Sequence, residues 1–201
     1  MHKKKHKSSV RIIGGTWRRR KIFFPHELGL RPTGDRIRET LFNWLQPNIV
    51  DANCLDLFAG SGSLGLEAKS RGCASCTLIE KNTKAITCLR NTIESFGASV
   101  DLINDDAIKY LVSTQFNKKF DIVFVDPPFN SNLHEAAIQL LEEKHLLNVD
   151  AKIYVENDVN ASELLVPKNW SQIRNQVAGQ VRFMLYSRDA NLELDLSLIH
   201  I

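Results

Sequence analysis

Four consecutive residues carry the clearest chemical information in this chain: Asp126, Pro127, Pro128 and Phe129 directly follow the apolar run 120–125. A nucleobase amino group is a poor nucleophile because its lone pair is delocalised into the ring. A carboxylate and the carbonyl of the first proline can accept the two amino hydrogens, and an aromatic ring can stack on a base turned out of its helix. The prolines restrict the loop that presents these groups. The pattern therefore predicts a site for an amino group on a planar ring.

A glycine-rich turn follows an earlier apolar run. It contains Gly60, Gly62 and Gly65, which allow the backbone to approach a ligand closely. Glu80 ends the next predicted strand, where an acidic residue can hold the hydroxyls of a ribose. This spacing fits the dinucleotide site of a dehydrogenase as well as other nucleoside cofactors, so the glycines alone leave the cofactor open.

Two neighbouring features separate these alternatives. Asp56 and Phe58 precede Gly60 in a pattern that resembles the first motif of S-adenosylmethionine methyltransferases, whose cofactor has an amino-acid part but no pyrophosphate. Asp105 and Asp106 follow the third predicted strand; Asp106 suits the adenine amino group or a helix N-cap, and the N-cap is the favoured interpretation for Asp105. The candidate cofactor-binding residues are Asp56, Phe58, Ala59, Gly60, Ser61, Gly62, Glu80, Asp105, Asp106, Arg31 and Thr33.

Positive charge is concentrated at the start of the chain. Residues 1–38 contain 12 Lys and Arg against two acidic residues, whereas the remainder contains 14 basic and 21 acidic side chains. The basic run 18–21 lies in a segment that is predicted to be a β-hairpin with its turn at Gly14–Gly15. An ordered basic ribbon suits phosphate contacts, although the head 2–7 also fits a solvated tail, and the arginines at 31, 36 and 38 also fit plain surface. The candidate RNA-binding residues are Arg11, Arg18, Arg19, Arg20, Lys21, Arg36 and Arg38.

Short apolar runs alternate with helical periods from residue 54 onward. This alternation predicts an α/β fold with a doubly wound, mostly parallel sheet and helices on both faces. The clearest helices are predicted over 82–96 and 133–141. The strands are predicted over 54–58, 76–80, 100–103, 120–125 and 153–156.

The ends of the chain differ from this central pattern. Apolar residues at 37, 41, 44 and 45 predict a helix after the cap-like residues 31–35. The last two predicted strands, over 171–179 and 181–187, are expected to add an antiparallel closing edge. We therefore divide the chain into a basic N-terminal extension (1–50) with a hairpin and a helix, a main domain (51–189) and a C-terminal tail (190–201).

Composition narrows the class of protein. With 201 residues and 43% hydrophobic content, the chain is long enough to bury a full core. No stretch approaches the roughly 18 apolar residues of a membrane helix, and the basic start lacks the apolar segment of a secretory signal. We therefore expect a soluble, monomeric, cytoplasmic protein without membrane contacts.

Cysteine and histidine positions give no sign of a metal site. Cys73 and Cys76 form one CxxC pair without a second pair or histidines at ligand spacing, so buried thiols are expected. The four cysteines fit a reducing compartment. His134 and His145 are expected on the surface of the helix that follows residue 129.

Four blocks of residues together resemble the bacterial 16S ribosomal RNA guanine-N2 methyltransferase family of the guanine-966 type. The blocks are Arg11–Gly15, Arg31–Leu45, Phe58–Gly62 and Asp126–Phe129, and the long second block is the most specific. The resemblance covers almost the whole chain, with a more basic head and a longer C-terminal end than the pattern requires. It implies a Rossmann-like class I methyltransferase domain, S-adenosyl-L-methionine as cofactor, and 16S rRNA in a small ribosomal subunit or an assembly intermediate as partner.

The resemblance also implies roles for single residues. It places Glu80 at the ribose, Asp106 at the adenine, and Asp126 with Phe129 at the target base. Three alternatives remain. An adenine-N6 DNA methyltransferase has a related loop but usually needs a separate recognition region, a dehydrogenase leaves the segment 126–129 without a role, and a non-catalytic RNA-binding assembly factor could keep the fold.

Overall fold

The structure is a computed structural model that describes residues 7–25, 33–128 and 132–189. Arg31, Phe129, residues 2–6 of the Lys-rich head and the tail 190–201 lie outside the described residues. Within these ranges the chain forms nine strands and five helices. The strands are β1 (Lys7–Arg11), β2 (Lys21–Pro25), β3 (Asn53–Asp56), β4 (Ser75–Ile79), β5 (Asp101–Ile103), β6 (Phe120–Val125), β7 (Leu147–Asp158), β8 (Trp170–Ala178) and β9 (Val181–Arg188).

The helices connect the strands of the sheet or, in one case, precede it. They are α1 (Asp35–Leu45), α2 (Ser63–Ser70), α3 (Thr83–Phe96), α4 (Ala107–Ser113) and α5 (Leu133–Glu143). Helix α3 shows why these segments begin and end where they do. The side chain of Asn82 accepts hydrogen bonds from two N–H groups of its first turn, and Gly97 ends it with a φ of 61°.

Seven strands form one twisted sheet with the order β5-β4-β3-β6-β7-β9-β8. Five neighbouring strands are parallel, and β9 pairs antiparallel with both β7 and β8. Side chains alternate between two cores: Cys54 and Phe124 pack on one face, while Leu55 and Val123 pack on the other. Burial on both faces is what parallel sheets require. The predicted fold class, including the antiparallel closing edge, is confirmed.

Most predicted elements are found, with shifted ends. Strand β6 has the predicted bounds, whereas β7 begins well before residue 153. Helix α1 buries Ile37, Leu41 and Leu45 on one face, as their spacing predicts. The early part of β7 includes two consecutive exposed residues, Val149 and Asp150, and pairs irregularly with β6, so it has no continuous apolar run to reveal it.

The predicted turn of the N-terminal hairpin is wrong. Strands β1 and β2 do pair antiparallel, but Arg11 lies opposite Lys21, so nine residues connect them instead of a tight turn at Gly14–Gly15. The connection turns towards α2: Thr16 N–H donates to the Ser70 carbonyl at 2.8 Å. A side chain at Gly15, with its φ of 74°, would collide with the Ser70 backbone. The glycines therefore allow close packing against a helix.

The cysteines are free thiols, and Cys54, Cys73 and Cys76 are buried as expected. Their sulfur atoms interact: hydrogen bonds from Cys54 and Cys76 lower the pKa of Cys73 to about 4, and the same contacts raise the pKa of the other two. Among the described residues, no cluster of His, Cys, Asp or Glu is arranged to hold a metal ion. None of the helices in these ranges has the length and apolar character to cross a membrane.

Candidate active site

A cavity of about 470 Å³ opens at the carboxyl ends of the parallel strands, next to the point where the strand order reverses between β3 and β6. Open α/β sheets bind ligands at such switch points. Several acidic side chains line the cavity. They are Asp56, Glu80, Asp105, Asp106, Asp126 and Glu156.

Acidic side chains fix the glycine-rich loop between β3 and α2. Gly60 and Gly62 have φ values of 52° and 78°, which residues with side chains rarely adopt. The N–H of Gly60 donates to Glu80 Oε2 at 2.8 Å, and the N–H of Gly65 donates to Asp56 Oδ2 at 3.0 Å. Both carboxylates therefore hold the loop in place as well as lining the cavity.

Asp56 lies at the end of β3 and is almost fully buried. Burial, with a smaller contribution from the charge of Glu80, raises the pKa of Asp56 to about 7, although hydrogen bonds from the N–H groups of Gly65 and Phe58 act to lower it. A cationic group in the cavity would favour the ionised form of this carboxyl group.

The favoured interpretation of Asp105 as the cap of α4 is wrong, and the N-cap interpretation that was left open for Asp106 is the one that the structure shows. Asp106, and not Asp105, caps α4: its Oδ1 accepts from the N–H groups of Ile108 and Lys109 at 3.1 and 3.3 Å. Asp105 Oδ1 accepts from the Asp106 N–H at 2.7 Å and so supports the cap from outside the helix. The helix starts one residue later than expected because Asp106 has extended backbone angles. Both side chains still line the cavity.

Asp126 follows β6 directly and is half-buried. Thr33 Oγ1 donates to Asp126 Oδ2 at 3.2 Å, so a buried residue of the N-terminal extension touches the predicted catalytic carboxylate. Burial raises the pKa of Asp126 well above its usual range, and the carboxylates of Glu156 and Asp56 raise it further, while the Thr33 hydroxyl lowers it. Pro127 also lines the cavity.

The structure adds one functional candidate that the sequence analysis missed. Glu156 lines the cavity beside Asp126 and is 5% exposed. Its position at the end of a predicted strand was the available signal, since the carboxyl ends of parallel strands meet at one edge. The expected surface position of His134 is also wrong, because its Nε2 lies 2.7 Å from the Glu156 carbonyl oxygen in the interior. His145 is exposed as expected.

A fully buried carboxylate attaches the N-terminal extension to the main sheet. Glu67 of α2 accepts hydrogen bonds from the N–H groups of Ile13 and Gly14, both at 2.7 Å. It also pairs with Arg71 at 2.7 Å and with Arg38 at 3.5 Å. Because α2 begins directly after the glycine-rich loop, the hairpin connection and the candidate cofactor loop are joined through one short helix.

The prediction that Arg38 contacts RNA is wrong, because its side chain is buried. Arg38 is fully buried and donates to the carbonyls of Thr33 and Arg11 at 3.1 and 2.8 Å, and to Asp35 at 2.7 Å. A guanidinium group can donate hydrogen bonds to several backbone carbonyls at once and can therefore be buried. The distribution of charged residues along the sequence does not show which arginines are buried in this way. The other candidate RNA-binding residues are exposed: Arg11, Arg18, Arg19, Arg20, Lys21 and Arg36.

Arg20 combines exposure with internal contacts. Its guanidinium lies 4.0 Å from the centroid of the Phe96 ring and donates to the Ser95 carbonyl at 2.6 Å. These contacts hold the basic run against the end of α3. Arg20 therefore has a structural role in addition to the phosphate contact predicted for it.

Most of the predicted cofactor and catalytic residues that the structure describes meet at this one cavity. The cavity is lined by the acidic residues named above, which include Asp56, by Pro127 and Pro128, and by Thr33, Phe58, Ala59, Gly60 and Ser61. Gly62 lies just behind the lining, where a Cβ atom would be 2.4 Å from the Leu89 side chain.

Sequence similarity to known proteins extends over almost the whole chain. The ribosomal RNA small subunit methyltransferase D of Escherichia coli strain K12 is 49% identical over 199 residues, which cover 97% of this chain and 99% of that protein. The Haemophilus influenzae protein of the same name is 44% identical and covers 90% of this chain and 94% of its own.

The same similarity is seen in three dimensions. The solved structure of a putative methyltransferase, yhhF, from Escherichia coli has a TM-score of 0.84 and 50% identity, and covers 91% of this chain and 99% of that one. The family model described as Conserved hypothetical protein 95 matches residues 10–187. The chain therefore belongs to the Conserved hypothetical protein 95 family, together with the relatives named ribosomal RNA small subunit methyltransferase D.

Proposed function

We propose that this protein transfers the methyl group of S-adenosylmethionine to N2 of one guanine in 16S rRNA, the reaction of the guanine-966 type. The observation that carries the proposal is the shared cavity: Asp126 and Pro127 line the same space as the glycine-rich loop and Glu80. A nucleoside cofactor on the loop and a base amino group at Asp126 can therefore meet. Relatives at 49% and 44% identity are named as ribosomal RNA methyltransferases.

The charge of the cavity favours S-adenosylmethionine over a dinucleotide. Acidic side chains around the cavity would repel a pyrophosphate, whereas they suit a cofactor with a sulfonium and an ammonium group. Glu80 and Asp106 stand after neighbouring strands, at positions suited to the ribose hydroxyls and the adenine amino group. Each keeps oxygen lone pairs for a ligand, because a carboxylate has about four acceptor sites.

The protein's contribution to the reaction is alignment. When bound, S-adenosylmethionine supplies a methyl group on a sulfonium, which is already an activated leaving group. The Asp126 carboxylate and the Pro127 carbonyl accept the two hydrogens of guanine N2, which directs the nitrogen lone pair. Fixing two reactants in this way can contribute about 7 to 11 kcal/mol. The methylated nitrogen then loses a proton to Asp126 or to water.

The N-terminal extension supplies contacts for the RNA in this proposal. Its hairpin connection carries exposed Arg18 and Arg19, and its helix carries exposed Arg36. Thr33 links the same extension to Asp126. RNA held on the basic surface would then lie close to the catalytic carboxylate. In this proposal the 16S rRNA is bound as part of the small ribosomal subunit or of an assembly intermediate. The protein binds it as a monomer in the cytoplasm.

One experiment tests the proposed reaction. The protein is incubated with isotope-labelled S-adenosylmethionine and with either free 16S rRNA or small subunits that lack the modification, and the labelled nucleoside is identified by mass spectrometry. The expected product is N2-methylguanosine. A labelled N6-methyladenosine would support the adenine-directed alternative, and no labelled nucleoside with either substrate would refute the proposed function.

A further inference from the structure

The β1–β2 hairpin has one buried face and one exposed face. Val10, Ile22 and Phe24 are buried and belong to the core on one side of the sheet. Because side chains alternate along a strand, the residues between them point the other way. This outer face consists of Ser9 and Arg11 of β1 and of Lys21 and Phe23 of β2, which are all exposed. The buried face therefore anchors the hairpin, and the outer face meets the solvent.

Phe23 is the aromatic residue of this outer face. It is 47% exposed, whereas every other aromatic residue in the described part of the chain is buried or partly buried. A single exposed apolar side chain is ordinary on a protein surface, so exposure alone indicates little. The surroundings of this ring are more informative, because it lies in the segment that carries the excess of positive charge.

The register of the hairpin places two cations around the ring. Phe23 lies opposite Ser9, whose side chain is too small to cover a ring, and Lys21 lies opposite Arg11. Lys21 is two residues from Phe23 on the same face, about 7 Å away, and Arg11 is its diagonal neighbour at about 7 to 8 Å. No described acidic side chain forms an ion pair with either cation. Both cations are therefore within reach of a ligand that contacts the ring.

A ring between two cations matches the chemistry of an unpaired nucleotide. The base has an aromatic face that can stack on the ring, and its phosphates carry the charge that Arg11 and Lys21 attract. Bases in a duplex are already stacked on one another, so the ring can be used only by a base that is unpaired. The centres of protein interfaces are depleted in lysine, so this composition favours RNA over a protein partner.

Hydrogen bonds fix the hairpin relative to the candidate active site. The buried side chain of Arg38 donates to the carbonyl of Arg11 at 2.8 Å and to the carbonyl of Thr33 at 3.1 Å. Thr33 Oγ1 in turn donates to Asp126 Oδ2 at 3.2 Å. Two side chains thus connect the backbone beneath the outer face with the carboxylate proposed to hold the target base. RNA bound in the cavity can extend onto this face.

We propose that Phe23 is a stacking platform for an unpaired base of the RNA strand that carries the target guanine, with Arg11 and Lys21 holding the adjacent phosphates. The inference rests on the proposed function, because it takes ribosomal RNA as the substrate. It gives the extension a contact with a base in addition to its phosphate contacts. Since every base has a face that can stack, the platform selects single-stranded RNA and not a particular sequence.

Equilibrium binding to two probes tests this contact. One probe is a single-stranded RNA oligonucleotide of mixed sequence, and the other is a fully paired RNA duplex. Phe23→Ala should weaken binding of the single strand roughly 5- to 100-fold and leave binding of the duplex unchanged. Phe23→Leu, which is apolar but has no ring, should lose a similar amount, whereas Phe23→Tyr should bind like the wild type.

Val177→Ala is the matched control. Val177 lies in β8 and is 53% exposed, so the variant also shortens an exposed apolar side chain on a strand. It should bind both probes like the wild-type protein.

Salt dependence separates the role of the ring from that of the cations. Phe23→Ala removes no charge, so it should keep the wild-type slope of log K against log salt concentration. The double variant Arg11→Gln, Lys21→Gln should lower that slope by about 1.4 for the single strand. A lower slope in Phe23→Ala would contradict a stacking role.

Further results would overturn the inference. They are a Phe23→Ala protein that binds the single strand as tightly as Val177→Ala does, equal weakening for both probes, and wild-type affinity in Phe23→Leu. A wild-type dimer that becomes monomeric in Phe23→Ala, with unchanged affinity for RNA, would assign the ring to a contact between two copies of the chain and would also overturn it.

Two further readouts keep the test decisive. If Phe23→Ala does not fold, ultraviolet crosslinking of the wild-type protein to the single-stranded probe decides: a crosslink at Phe23 supports stacking, and crosslinks confined to other residues overturn it. None of these measurements requires methyl transfer. A wild-type protein that forms no N2-methylguanosine but binds single-stranded RNA through Phe23 would overturn the proposed function and leave this RNA contact standing.

Discussion

Single carboxylates in this protein differ in what they contact, and those contacts determine what each can do. Asp56 is enclosed beneath the glycine-rich loop, Asp106 uses one oxygen to cap α4, and Asp126 is half-buried next to Glu156. Glu67 is fully buried and carries no site chemistry, because backbone N–H groups and two arginines surround it. The same residue type therefore lines the cavity at some positions and holds the fold together at others.

Asp56 should make the stability of the protein depend on pH. Its folded pKa of about 7 lies above the usual value near 3.9, so between these values the folded state binds more protons than the unfolded state. Stability therefore falls as pH rises through this window. Asp56→Asn cannot titrate but keeps an oxygen for the Gly65 N–H. Between pH 5 and 7, wild-type protein should lose about 2 kcal/mol of unfolding free energy relative to this variant.

Denaturant unfolding at several pH values measures this difference. The comparison with Asp56→Asn removes the contribution of the other titrating groups, which both proteins share. Parallel stability curves for the two proteins would show that Asp56 has an ordinary pKa in the folded state.

At the level of elements, α2 is the link between the N-terminal extension and the cofactor loop. The helix starts at the glycine-rich loop, and its buried face receives the hairpin connection through Glu67 and Ser70. Asp126 follows strand β6 and lies in the same region, where it accepts a hydrogen bond from Thr33. The surface proposed to bind RNA and the cavity proposed to bind the base therefore lie on directly connected elements.

Glu67→Ala should weaken the attachment of the N-terminal extension to α2. Removing Glu67 leaves the N–H groups of Ile13 and Gly14 without this acceptor, and it leaves the fully buried Arg38 with Asp35 as its one ion-pair partner among the described residues. We expect a loss of about 3 to 5 kcal/mol in unfolding free energy. Faster amide hydrogen exchange is expected at Ile13 and Gly14, whose N–H groups lose their acceptor.

Glu94→Ala provides the control, because Glu94 is an exposed residue of α3. It should change the unfolding free energy by less than about 0.5 kcal/mol. A Glu67→Ala protein as stable as this control would show that the buried carboxylate does not hold the extension.

The sequence predicted the central sheet better than the extension, for a physical reason. Strands such as β6 are buried on both faces and therefore carry continuous apolar runs. The docking of Gly14 on Glu67 and the burial of Arg38 depend on partners more than 25 residues away in the chain, so no local pattern encodes them. Glu156 was missed for the same reason: its significance comes from the neighbouring strand.

Across the whole molecule, opposite charges are separated between two regions. The N-terminal extension carries the excess of positive charge, while acidic side chains line the cavity at the carboxyl ends of the strands. A basic surface beside an acidic cavity fits a polyanionic substrate together with a cationic cofactor. This division is why net charge alone, at +3, says little about the partner.

Neutralising the basic run should weaken the salt dependence of RNA binding. Each lost phosphate contact lowers the slope of log K against log salt concentration by roughly 0.7 to 0.9. The double variant Arg18→Gln, Arg19→Gln should therefore reduce the slope by about 1.5. The double variant Lys168→Gln, Arg174→Gln changes the same amount of charge near β8 and should keep the wild-type slope. Equal slopes for both variants would mean that Arg18 and Arg19 do not contact phosphate.

Methyl transfer by Asp126→Ala, measured together with cofactor affinity, tests the central claim most directly. Wild-type protein and the variant are given labelled S-adenosylmethionine and 16S rRNA, and N2-methylguanosine is quantified while cofactor binding is followed by calorimetry. The account predicts at least about a thousandfold loss of turnover, or roughly 4 kcal/mol in the barrier, with cofactor affinity changed less than about threefold. Turnover like that of the wild type in Asp126→Ala would contradict it.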